Sequence, residues 1–103
     1  MKYKWQLEQT EDALQDLVNI THWTLQNFGK RQTSIYSETI ALALEALEAG
    51  PNTLGVKRRE DLGANFYTLH VARKGRTGRH FIVFRVVEST TIQVLRLLHD
   101  TWI

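Results

Sequence analysis

Phe66-Tyr-Thr-Leu-His-Val-Ala-Arg73, Lys74-Gly-Arg-Thr-Gly78, Arg79-His-Phe-Ile-Val-Phe-Arg-Val-Val87, Glu88-Ser-Thr-Thr91 and Ile92-Gln-Val-Leu-Arg-Leu-Leu-His99 follow one another through the last third of the chain. Three runs rich in β-branched and aromatic residues alternate with turn-forming residues, the pattern of an antiparallel meander. The middle run is apolar on both alternating faces, with Phe81 and Val83 on one and Ile82, Phe84 and Val86 on the other. Such a strand belongs in the centre of a sheet, with cover on part of each face. Lys74-Gly-Arg-Thr-Gly78 reads as a flexible hairpin tip.

Working outward, Tyr3, Trp5 and Leu7 alternate as a short strand with one apolar face. Thr10 offers a hydroxyl cap, and Glu11 and Asp12 place negative charge in a first helical turn. Leu14, Leu17, Val18, Leu25 and Phe28 recur at helical spacing and predict a buried face, stopped at Gly29. Trp23 falls off that stripe, as a flank of the core or as a partner contact. A second helix is predicted from about Arg31 to Ala49, with Tyr36, Ile40, Ala43, Leu44 and Leu47 as its stripe, widened by Ile35, Leu42 and Ala46. Gly50-Pro51-Asn52 ends it. So short a link predicts an antiparallel helical hairpin laid on the meander. Leu54 to Asn65 reads as a loop.

The expected fold is therefore α+β: an N-terminal strand, then an antiparallel helical hairpin packed on a three- to four-stranded antiparallel sheet, in the order β-α-α-β-β-β. Periodicity leaves open which sheet edge the first strand takes. With 103 residues and no linker or repeat, residues 1–103 form one domain.

Composition narrows the function classes. The chain has no cysteine, which excludes a disulfide framework, a thiol nucleophile and a thiolate metal site. No signal-peptide pattern and no membrane-length apolar run is present, so a soluble, cytoplasmic protein is expected, with no membrane contact. His22, His70, His80 and His99 lack ligand spacing, so neither a metal nor a cofactor is expected. There is no phosphate-cradling loop and no nucleophile elbow. Charge is uneven: residues 1–54 carry four bases against seven acids, and residues 55–103 nine bases against four acids. The basic half suits an acidic partner or ordinary solvated surface. Its candidate patch is Lys57, Arg58, Arg59, Arg73, Arg79 and Arg85. By alternation, Arg85 shares a face with Phe81 and Val83, and Arg96 shares one with Ile92, Val94 and Leu98.

The order of elements and five segments resemble the RelE/ParE superfamily of toxin–antitoxin toxins, its ParE branch in particular. The segments are Leu47-Glu-Ala-Gly-Pro-Asn52, Gly55-Val-Lys-Arg-Arg-Glu-Asp-Leu-Gly63, Leu69-His-Val-Ala-Arg73, Gly78-Arg-His-Phe-Ile-Val-Phe-Arg-Val86 and Val94-Leu-Arg-Leu-Leu-His-Asp100. The resemblance implies a type II toxin without catalytic residues that inhibits DNA gyrase and so DNA replication. It also implies neutralisation by a wrapping ParD-like antitoxin, and no sequence-specific DNA binding by the toxin alone. The antitoxin surface is then expected to include Leu14, Leu17, Trp23 and Tyr36. The target surface would include His99, Asp100, Trp102 and Ile103. The alternative is a RelE-like ribosome-dependent mRNA endonuclease, with Arg73 and Arg85 on the phosphate and His99 moving a proton. A C-terminal tyrosine and the dense lysine–arginine set of RelE are missing, which favours the ParE branch. The family's tail, often Met-Asp-Leu-like, is replaced here by Thr101-Trp-Ile103.

Overall fold

The computed structural model describes residues 4–102. Its elements are β1 (Gln6–Gln9), α1 (Glu11–Ala46), a 3₁₀ turn (Leu47–Ala49), β2 (Lys57–Arg58), β3 (Phe66–His70), β4 (His80–Glu88), β5 (Thr91–His99) and a final 3₁₀ turn (Asp100–Trp102). The α+β class and the meander stand as the sequence predicts. Tyr3, assigned to the first strand, lies outside the described residues.

The link of the helical hairpin is corrected: one span of 36 residues runs from Glu11 to Ala46, and its two helical arms meet directly at a kink at Gly29 rather than across a loop. Gly29 alone absorbs the change of direction, at φ 85° and ψ 178°, a conformation open to glycine and strained for other residues. A straight helix of this length would extend about 54 Å. The whole molecule measures 40 Å along its longest axis, so the two arms turn sharply at Gly29. Thr33 Oγ1 donates to the Gly29 carbonyl at 2.8 Å and so satisfies an acceptor at the kink.

The sheet is corrected too. It has five strands in the order β1-β5-β4-β3-β2, and it is mixed rather than antiparallel. β1 runs parallel to β5, with Gln6 opposite Thr91 and Gln9 opposite Val94. The fifth strand, β2, falls inside the segment read as loop: Lys57 pairs with Thr68 and Arg58 with Tyr67. Two residues with outward charged side chains give no alternation to read, and such a short charged edge strand discourages pairing with other chains.

One face of the sheet carries the core. Ala13, Ile20, Ile40, Ala43 and Leu47 pack on Leu69, Val71, Ile82, Phe84, Ile92, Val94 and Leu97. The second-arm stripe of Ile40, Ala43 and Leu47 is buried as predicted. The first-arm stripe is not. Its buried positions are Ala13, Ile20 and Thr24, with Leu17 half-buried, whereas Val18 and Phe28 are 60% and 61% exposed and Leu14 and Leu25 are exposed as well. Packing against the sheet, rather than the most hydrophobic stripe, selects the inward face.

A one-residue bulge also moves Arg96. Val83 pairs with Arg96 but Phe84 pairs with Val94, so Leu95 is the extra residue on β5. Beyond it the alternation inverts. Leu97 joins Ile92 and Val94 in the core, and Arg96 is exposed. It forms a two-bond pair with Asp16, at 2.7 Å and 3.0 Å.

Phe84 is fully buried and stacks on Tyr67 with ring centroids 5.5 Å apart. Phe84→Ala is expected to lower unfolding free energy by about 3–5 kcal/mol. Urea unfolding of the variant beside the wild type measures this.

Candidate binding groove

The two arms of α1 part near the kink and leave a groove of about 850 Å³. Ile20, Trp23 and Phe28 supply one wall, Ile35 and Tyr36 the other, and His80 and His99 the floor, with Thr77–Arg79 closing one end. Arg79 brings the only formal charge among the lining side chains apart from the histidines, and no carboxylate lines the groove. The walls are strongly apolar for an open surface. Trp23 is 57% exposed and meets Phe28 edge-on at 5.6 Å between ring centroids.

Register builds the floor. His80 opens β4 and pairs with His99 at the end of β5, with ring centroids 5.2 Å apart and the rings nearly perpendicular. Tyr36 reaches down from the second arm. The Arg79 amide donates to its hydroxyl oxygen at 3.0 Å, and the hydroxyl lies 2.7 Å from His80 Nδ1. The hydroxyl thus joins the Arg79 amide to the His80 ring, accepting from the first and sharing one proton with the second. Burial lowers the His80 pKa to about 4, helped by the neighbouring His99 and opposed by Asp100. Burial likewise raises the Tyr36 pKa. Gly78 lets the turn come this close. A Cβ there would stand 2.5 Å from Val71 Cγ2 and 3.1 Å from Tyr36 Cε1.

Below the groove lies a second polar cluster. Asp100 Oδ2 is 3.2 Å from His70 Nε2, and Arg79 Nε donates to Asp100 Oδ1 at 3.2 Å. The His70 hydrogen bond, followed by Arg79, holds the Asp100 carboxyl below the usual carboxylate range. Among the described residues, no three histidines and carboxylates are set to hold a metal ion.

The residues singled out in the sequence are spread unevenly over this surface. Trp23, Tyr36, Arg79 and His99 line the groove. Leu17 packs against the core, and Leu14 is exposed outside the groove lining. Arg58 and Arg59 are tied to Glu60 and Asp61 beside β2, whose other residue is Lys57. Arg73 lies in the β3–β4 connection beside Lys74 and Arg76. Arg85 is hydrogen-bonded to Gln93. It stands five residues along β4 from His80, about 17 Å away at strand spacing, so the fold does not bring it to His99. Trp102 is 70% exposed, and Ile103 lies outside the described residues. His80 and His70 were not anticipated as site residues. Only the pairing of β4 with β5 brings His80 to His99, and sequence spacing carries no sign of it.

A kinked helix on a mixed five-stranded sheet, with an apolar groove and a polar floor, defines a small α+β domain. The family model described as the ParE toxin of the type II toxin–antitoxin system parDE matches residues 7–101. The chain therefore belongs to the ParE toxin family. Among solved structures it is similar to a chain of a chromosomal ParDE toxin–antitoxin system from P. aeruginosa, with a TM-score of 0.73 and 22% identity over 93% of this chain and 96% of that one. It is also similar to a chain of the RelBE2 toxin–antitoxin complex from Mycobacterium tuberculosis, with a TM-score of 0.60 and 20% identity over 93% and 98%. Comparison with curated protein sequences gives no match.

The depressed His80 pKa links folding to pH. Below the ordinary value of 6.5 an unfolded chain protonates this histidine, while the folded chain does so only near 4. The unfolded state therefore binds more protons across that interval, and the His80 contribution to stability is lost as pH falls from about 6.5 to about 4. An NMR titration of the His80 ring is expected to show it neutral until close to pH 4, with the denaturation midpoint falling over the same range.

Proposed function

We propose that the protein is a toxin that binds DNA gyrase and blocks replication in the cytoplasm, and that a ParD-like antitoxin neutralises it by laying a segment in the groove. Membership of the ParE family supports the first part. The groove carries the second. It presents Trp23, Phe28 and Ile35 to solvent over a floor of His80 and His99. Exposed aromatic anchors beside an arginine are the usual centre of a protein interface. With Arg79 already paired to Asp100 and no carboxylate in the lining, the site suits a predominantly apolar segment.

Binding without chemistry agrees with the geometry. Arg85, required for the endonuclease alternative, is remote from His99. The exposed Trp102, beside His99, is the natural target contact, and Ile103 continues that surface in the sequence.

A supercoiling and cleavage assay with purified gyrase, run beside ribosome-programmed mRNA, tests the reading. Loss of supercoiling with accumulated cut DNA and intact mRNA is expected. Codon-positioned mRNA cuts with untouched gyrase would replace it with the endonuclease. For the groove, Trp23→Glu is expected to weaken antitoxin binding at least ~10-fold by titration calorimetry. Unchanged affinity would move the antitoxin elsewhere.

A further inference from the structure

Asp100 sits where β5 gives way to the final 3₁₀ turn. The resemblance places it among target-contacting residues, but its surroundings give its carboxylate other work. Oδ2 is 3.2 Å from His70 Nε2 on β3. Oδ1 accepts from Arg79 Nε at 3.2 Å, and the same nitrogen lies 3.3 Å from Oδ2. The Asp100 amide donates to the Arg79 carbonyl at 2.7 Å. Three bonds of this kind fasten one residue to two strand ends, and both carboxylate oxygens already have partners.

The next residue is fastened as well. The Thr101 hydroxyl lies 2.8 Å from His99 Nδ1, and the Thr101 amide donates to that nitrogen at 3.3 Å. Because the amide must donate, Nδ1 is the acceptor and the His99 proton sits on Nε2. Trp102 follows with its side chain largely in solvent. Two anchored residues thus precede an exposed aromatic one.

We propose that Asp100 is a positioning residue: its carboxylate bolts the C-terminal segment to His70 and Arg79, and so fixes where Trp102 stands, without touching the target itself. The inference rests on the proposed role of the tail in target contact. A rigid exposed tryptophan binds at lower entropic cost than a loose one, since little ordering is left for the moment of binding.

The experiment pairs two readouts on the full chain. Amide ¹⁵N relaxation reports the order of Thr101 and Trp102, and the gyrase assay reports inhibition. Asp100→Asn, His70→Ala and Arg79→Ala are each expected to loosen both amides. Each should also raise the inhibitory concentration by about tenfold or more. His70→Ala and Arg79→Ala are the decisive variants, because each leaves the Asp100 carboxylate in place and removes one of its two side-chain anchors; His70→Ala also removes the acceptor of the Ala72 amide. Asp100→Glu keeps a carboxylate within reach and is expected to restore much of both signals. Loss of inhibition in Asp100→Asn with the tail amides as ordered as in wild type would overturn the proposal and make Asp100 a direct contact. Tail amides that stay ordered in all three variants would overturn it as well. If the wild type leaves gyrase untouched, the target is wrong, and the relaxation data still decide whether the clamp exists.

Discussion

The single extra residue in β5 governs the rest. Without the bulge at Leu95, the register of Phe84 with Val94 would continue and bring Leu98 opposite His80. With it, His99 takes that place and the groove has its imidazole floor. The bulge is held from the helix side. Thr10 Oγ1 donates to the Leu95 carbonyl at 2.9 Å while accepting from the Ala13 amide at 3.1 Å, so one hydroxyl caps α1 and pins the irregular strand. Asp16, nearly two turns on, accepts from the Leu97 amide at 2.9 Å and from Arg96. β1 covers β5 only as far as Val94. The start of α1 supplies partners for backbone groups beyond that point, where an unpaired edge would otherwise cost stability.

From this junction the division of α1 follows. Its first arm meets the sheet through Ala13, Leu17, Ile20 and Thr24, while Leu14, Val18, Leu25 and Phe28 are turned out. A monomer gains nothing from exposing Val18, Leu25 and Phe28 as one stripe beside the Trp23-lined groove. The arrangement fits the partner segment proposed for the groove. The second arm has its large stripe inward and holds the opposite wall through Tyr36, whose hydroxyl joins helix, turn and β4.

The sequence was legible where local chemistry and tertiary packing agree. The meander, the Thr10 cap, the Gly29 stop and the Ile40–Ala43–Leu47 stripe could all be read from spacing and residue type. It misled where a non-local requirement won. Leu14, Val18, Leu25 and Phe28 make the better amphipathic face by hydrophobicity, yet packing on the sheet took Ala13, Ile20 and Thr24 inward instead. Alternation placed Arg96 with Ile92 and Val94, and a bulge with no sequence mark inverted it. β2 is too short for a period, and the parallel partner of β1 is settled by topology alone. At the groove, Trp23, Tyr36, Arg79 and His99 were singled out in advance. His80 was passed over, because its meaning comes from a residue nineteen positions later in the chain.

Joining β1 to β5 also sets an order in time. Thr10 and Leu95 are 85 positions apart. Contacts of such long range reward the chain only after a large loop has closed, and they are slow to form. While the polypeptide is being synthesised, everything through β4 can emerge with the first strand unpaired and half the groove floor missing. The groove comes into existence only once β5 is available, so the surface proposed to receive a partner is the last part of the fold to be completed.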